Sequence, residues 1–135
     1  AVPCYQCETP ACMTACPVDA ISKRASDGIV TVDPDTCLGR EKCANTPCLK
    51  ACRSRVPQFG PEDNAKMQKC DFCMERLDQG KQPICVEACP MFALEISTLS
   101  ELRQKYGSCQ EAPGFNHALK IKPAVVMTPK PEVYS

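Results

Sequence analysis

Net charge, histidine and long apolar runs are all scarce in this chain of 135 residues. Sixteen basic and sixteen acidic residues cancel, so no broad field draws in nucleic acid or an anionic membrane surface. His117 is the only histidine; it sits in a proline-studded tail, where a surface or packing role is the default. No other acid-base constellation is apparent, which argues against catalysis by this chain alone. No apolar run approaches the roughly 20 residues that cross a bilayer, and Ala1-Val2-Pro3 has neither a charged n-region nor an apolar h-region. The chain is therefore expected neither to span a membrane nor to export itself. No phosphate-cradling glycine loop occurs among the 6 glycines, so no nucleotide site is expected. Leu, Ile, Val and Phe together number 25, thin for a packed core of this size. Something other than aliphatic packing has to fill the interior.

Cysteine is what the chain has in excess. Twelve of its 13 cysteines fall into three tetrads: Cys4, Cys7, Cys12, Cys16; Cys37, Cys43, Cys48, Cys52; and Cys70, Cys73, Cys85, Cys89. The first and third close with Cys-x3-Cys-Pro, at Pro17 and Pro90. A cubane iron-sulfur cluster needs four thiolates, often three from one tight loop and one from elsewhere, and this spacing suits it. Zinc ribbons use two Cys-x2-Cys pairs per metal and do not call for the proline. Disulfides are disfavoured by the odd count, the absent signal peptide and the repeated short spacings. The pattern thus points to 4Fe-4S clusters and to electron transfer, with the apo chain poorly folded. Thiolate-ligated clusters add negative charge, which Lys50, Arg53, Arg55 and Lys69 beside the tetrads are placed to offset; ordinary solvated charge is an equal alternative for each. Met13, Met67, Met74 and Met91 are expected to pack against clusters, and Cys109, outside every tetrad, to be a spare thiol.

Aligned on their tails, Cys7 to Cys16 and Cys43 to Cys52 share Cys-x4-Cys-x3-Cys, and Cys85 to Cys89 repeats the final Ala-Cys. This predicts an α+β fold of tandem bacterial-ferredoxin-like modules, short hairpins and helices around clusters with little regular core. One helical turn is predicted over 18–21, then a hairpin turning at Gly28 with Ile29 to Val32 as its second strand. Arg53 to Lys69, broken by Pro57, Gly60 and Pro61, reads as a surface loop. A helix over 71–79 stops at Gly80, and Phe92 to Ile96 reads as a short strand. Thr98 to Glu101 is a capping box opening a helix to Tyr106, closed by Gly107 and packed on the cluster core. Residues 1–107 form the iron-sulfur domain. Residues 108–135 are a proline-rich tail, disordered or extended against something, with a docking arm on a partner favoured.

In two-cluster ferredoxins the fourth cysteine of one run ligates the other cluster. By that rule Cys4, Cys7, Cys12 and Cys52 hold one cluster, and Cys37, Cys43, Cys48 and Cys16 hold its neighbour. Cys70, Cys73, Cys85 and Cys89 are left without a mate. Either they close one cluster themselves, or a further tetrad upstream of Ala1 completes the site; the missing initiator methionine favours a fragment or processed product. Two to three 4Fe-4S clusters are expected in this chain, four with an upstream tetrad.

These residues resemble the four-cluster ferredoxin-like iron-sulfur subunits of molybdopterin oxidoreductases, such as the dimethyl sulfoxide, polysulfide and nitrate reductases and formate dehydrogenases. The likeness runs from Cys4 to about Gly107. It is carried by Cys4-Tyr-Gln-Cys7 through Pro17, by Asp27-Gly28-Ile29-Val30 leading to Asp35-Thr36-Cys37, by Lys69-Cys70-Asp71-Phe72-Cys73 and by Gly80 to Pro90. The family has four tetrads, and this chain is similar to its second, third and fourth. The family's third tetrad, however, is Cys-x2-Cys-x2-Cys-x3-Cys-Pro, whereas here Arg40 takes the second position and Arg53 replaces the proline. Cys48 is the replacement thiolate; failing that, the site holds a three-iron cluster or none. The resemblance implies a non-catalytic subunit wiring a molybdopterin-containing catalytic subunit to a membrane-anchored, quinone-linked partner, with the tail around Lys120 to Pro129 touching one of them. It implies assembly in the cytoplasm and a complex at the cytoplasmic membrane, on a side set by the partner's export. The rival reading is a free-standing soluble polyferredoxin; a zinc-stabilised binding module is a third.

Overall fold

The computed structural model describes residues 4–113 and 119–129; His117 lies outside them. Its elements are short. In order they are α1 (Ala11–Thr14), β1 (Ile21–Lys23), β2 (Val30–Val32), α2 (Gly39–Lys42), α3 (Pro47–Ala51), β3 (Gln58–Phe59), β4 (Met67–Gln68), α4 (Met74–Asp78), α5 (Ile84–Glu87), α6 (Leu99–Tyr106) and a 3-10 turn at Leu119–Ile121. Proline opens three of the single-turn helices: Pro10 and Pro83 precede α1 and α5, and Pro47 starts α3, each placing its missing N–H where a helix has no partner for one.

The predicted hairpin is present. β1 and β2 pair antiparallel, Ile21 opposite Val32 and Lys23 opposite Val30, and the turn closes through Gly28 at φ 74°, a conformation open to glycine without steric cost. The helical turn expected over 18–21 does not form, because Asp19 takes a left-handed φ of 52° and Ile21 already belongs to β1. The stretch from Arg53 to Lys69 is not a plain loop. β3 and β4 make a second hairpin, Phe59 opposite Met67, and Pro57, Ala65 and Met67 are buried. Nor does a strand form at Phe92 to Ile96: Phe92 is left-handed and 90% exposed.

α4 ends as expected near Gly80, whose φ is 70°. α6 begins with the full capping box, Thr98 and Glu101 each accepting the other's backbone N–H. It does not pack on the core, however: it has no buried residue, and ion pairs from Arg103 to Glu8 and Lys105 to Glu95 hold it at the surface. The tail, described at residues 108–113 and 119–129, is tied by backbone bonds to the first tetrad's loop. Glu8 and Thr9 donate to the carbonyls of Lys122 and Ile121, and Ala124 donates to Tyr5.

The buried centre consists of Ile21, Val30, Cys48 and Met67, ringed by Cys12, Met13, Cys16, Val32, Cys37 and Phe59. Cysteines thus occupy the place where aliphatic side chains would stand in an ordinary domain. Met91, expected to pack against a cluster, is instead 80% exposed.

Candidate metal centre

Each tetrad is shaped by the same local backbone. The residue before the second cysteine of Cys4-x2-Cys7 is Gln6, at φ 46°, and its counterpart in Cys70-x2-Cys73 is Phe72, at φ 62°. Three residues after each tetrad's last cysteine the chain is again left-handed, at Asp19, Arg55 and Phe92. The Cys52 loop therefore follows the same path although Arg53 stands where the other two have proline. Backbone N–H groups four residues on point at sulfur, Val56 to Cys52 Sγ and Ala93 to Cys89 Sγ, both at 3.4 Å. At Cys89 this donor, followed by that of Met91, holds the thiol below its usual range.

α1 packs on α3, so two cysteine-bearing turns stand side by side, each followed by the last cysteine of its tetrad. An apolar cavity is lined by Cys16 of the first tetrad together with Cys37, Cys43 and Cys48 of the second, with Pro17, Ile21, Val32, Phe59 and Met67 around them. Burial, and then Cys16 and Cys37, raise the Cys43 thiol. The Cys48 thiol is pushed up to about 11 by burial, with Cys43, Cys12 and Cys16 adding to it.

The reciprocal set gathers beside it. The Cys7 thiol rises to about 11 through burial and then through Cys4, Cys12 and Cys52, while burial followed by Cys4 and Cys52 raises Cys12. Cys4 is raised by burial against the opposing pull of Lys69. Cys52, from the second tetrad, thus acts electrostatically on the Cys4, Cys7 and Cys12 thiols of the first.

Arg40, at the position where the family motif has cysteine, is exposed and outside this cavity; its backbone N–H donates to the Ala65 carbonyl at 2.8 Å. Cys48 is buried and lines the cavity. Gly39, which begins α2, is at φ 81°, and a Cβ there would meet the Asn64 backbone carbonyl oxygen at 2.9 Å. That close approach seats the Cys37 loop on the segment leading into β4.

The third tetrad differs. Cys70 and Cys85 are exposed and Cys73 and Cys89 half-buried, and the cavity takes none of them. Ile84, Met91, Phe92 and Leu94 beside it are exposed as well. It is tied to the rest by the Arg24–Asp78 ion pair, by Lys69 and by Gln6, the last a buried polar side chain that sequence reasoning misses. The Gln6 amide accepts from Val30 N–H at 2.8 Å and donates to the Cys70 carbonyl at 3.0 Å. Partners 24 and 64 positions away give Gln6 this role, so no local signal marks it.

The donor chemistry of the first eight cysteines fits a cluster. Soft thiol ligands surround an apolar hollow, and among the described residues no three of His, Cys, Asp or Glu converge closely enough to hold one metal ion. Cys109 is exposed and bonded only within the tail, its thiol to the Glu111 carbonyl.

Comparison with known proteins agrees with this chemistry. A family model described as a 4Fe-4S dicluster domain matches residues 1–99. The chain is 42% identical over 128 residues to the probable anaerobic dimethyl sulfoxide reductase chain YnfG of Escherichia coli (strain K12), covering 95% of this chain and 59% of the relative. It is 41% identical over 128 residues to the B subunit of the anaerobic dimethyl sulfoxide reductase of the same organism, with the same coverage. The iron-sulfur subunit of its nitrate-inducible formate dehydrogenase is 32% identical over 118 residues, 85% of this chain and 38% of that one. The chain therefore spans about three-fifths of the length of the first of these relatives. With the cysteine sets, the matched model and these likenesses in agreement, the chain belongs to the 4Fe-4S dicluster domain family.

Proposed function

We propose that this chain is an electron-transfer subunit, relaying electrons through 4Fe-4S clusters between a molybdopterin-containing catalytic subunit and a membrane-associated, quinone-linked partner. One observation supports the reading: Cys16 of the first tetrad lines an apolar cavity together with Cys37, Cys43 and Cys48 of the second. Cys4, Cys7, Cys12 and Cys52 hold one cluster and Cys16, Cys37, Cys43 and Cys48 its neighbour, while Cys70, Cys73, Cys85 and Cys89 form a third site. A bound cubane supplies one-electron chemistry at a potential set by charge, hydrogen bonding and exposure. The chain's own residues do the rest. Ile21, Val32, Phe59 and Met67 exclude water from the cavity. The packing of α1 on α3 fixes the separation of the two sites, and the Val56 N–H stabilises sulfur at Cys52.

The exposed apolar face of Ile84, Met91, Phe92 and Leu94 favours a subunit over a free-standing polyferredoxin, because such faces mark contacts with other proteins. No described helix is long and apolar enough to cross a membrane. We place assembly in the cytoplasm and the complex at the cytoplasmic membrane.

Iron and acid-labile sulfide per chain, with electron paramagnetic resonance of the reduced protein, test the reading. Three cubanes mean that the Cys70 tetrad closes on itself. Two coupled cubanes with a labile third mean that it shares its cluster with a further tetrad. A protein free of iron and sulfide sinks the proposal. Cys52→Ala is expected to remove the cluster of the Cys4 set and spare that of the Cys37 set; the reverse pattern rejects the crossing. Co-purification with a large partner separates the subunit from the free carrier.

A further inference from the structure

Of the described lysines, three are half-buried and the others exposed. The three are Lys23, Lys66 and Lys69, and each donates its ammonium to the backbone carbonyl of a tetrad cysteine. Lys23 bonds to Cys7 O and to the adjacent Glu8 O, both at 3.2 Å. Lys66 bonds to Cys37 O. Lys69 bonds to Cys70 O at 2.9 Å and also to Val30 O. None of the three forms an ion pair with a carboxylate among the described residues. Sequence proximity accounts only for the Lys69–Cys70 contact. Lys23 reaches Cys7 across 16 positions and Lys66 reaches Cys37 across 29, whereas Lys50, Arg53 and Arg55, closest to Cys52 in sequence, are exposed.

A partly buried ammonium without a counter-charge is costly unless something compensates it. Here each cation faces a loop whose thiolates, once loaded, carry negative charge, and reduction adds one more. We propose that Lys23, Lys66 and Lys69 are dedicated counter-charges, one at each cysteine site, that raise the reduction potentials of the clusters there. The proposal rests on the cluster assignment made above. A unit charge within about 12 Å, acting through an effective dielectric of about 20, changes a one-electron equilibrium about tenfold, or about 59 mV.

The test is a redox titration, followed by electron paramagnetic resonance, of the intact protein purified anaerobically. Its variants are Lys23→Gln, Lys66→Gln and Lys69→Gln, each alongside the corresponding arginine substitution, with Lys50→Gln as control. Iron per chain is measured throughout. We expect K23Q to lower the potential of one signal about tenfold in equilibrium constant and K66Q to lower a different signal by a similar amount. Arginine restores each, K50Q moves neither, and iron content holds. Unmoved potentials at full iron overturn the proposal, as does arginine's failure to restore them. Loss of iron in all three glutamine variants also overturns it, because the lysines are then loop clamps. A wild-type protein without iron and sulfide rejects the cluster reading itself, independently of any lysine variant.

Discussion

Gln6 joins three parts of the molecule with one side chain. It is buried in the Cys4–Cys7 loop, caps the Val30 N–H of β2 and holds the Cys70 carbonyl. Gln6→Leu keeps the volume and removes both bonds, leaving the buried Val30 N–H unmet while the Cys70 carbonyl keeps its bond from Lys69. An unmet buried group costs about 1–3 kcal/mol, so the temperature at which the loaded protein bleaches is expected to fall by roughly 5–10 °C, read from visible absorbance on heating. An unchanged bleaching temperature removes Gln6 from the set of residues holding the first and third loops together. Gln6 is illegible in the sequence because its value lies wholly in distant partners. The twelve candidate ligands are legible, because the chemistry of a thiolate-bound cluster is written in short spacings that the chain cannot hide.

Single helical turns and two-residue strands cannot stand alone, and most of the elements here are of that kind. The longest, α6, is the exception, with eight residues and a capping box complete within four. That is why the sequence announces it and conceals the β3–β4 hairpin. Pro57, Gly60 and Pro61 look like breakers, and only the burial of Met67 opposite Phe59 makes strands of their neighbours. The expected packing of α6 on the core fails for the converse reason: its apolar positions Leu99, Leu102 and Tyr106 have helical spacing, yet surface ion pairs hold it. Removing the cap by Thr98→Ala is expected to cost about 1 kcal/mol locally and to speed amide exchange in α6 about fivefold. Acid acts on the same element. The Glu101 carboxyl is held low by Ser97 and Thr98, and that of Glu95 by Tyr106 and Lys105. Their stabilisation is therefore complete above the ordinary glutamate range and is lost as pH falls through the lower folded values. Exchange in α6 should accelerate below about pH 4 relative to the β3–β4 hairpin; equal acceleration in both counts against a local titration.

Taken whole, the molecule has a centre of two aliphatic side chains, a methionine and a buried cysteine, with further cysteines packed around them. So small a core cannot offset the entropy of ordering this chain, and ligand bonds have to make up the difference. Stripping iron anaerobically with a chelator is expected to abolish the cooperative thermal transition seen by far-ultraviolet circular dichroism, and adding back iron and sulfide to restore it. A stripped protein that still melts cooperatively would show that apolar packing suffices.

The bonds from Glu8 and Thr9 to Lys122 and Ile121, and from Ala124 to Tyr5, bear on the order in which the protein is made. On the ribosome the Cys4–Cys7 loop emerges more than a hundred residues before Ile121, and it acquires these backbone partners only when that distant stretch has followed. Cys52, its proposed fourth thiol, arrives midway. The first of these loops to be synthesised is thus among the last to gain its backbone partners.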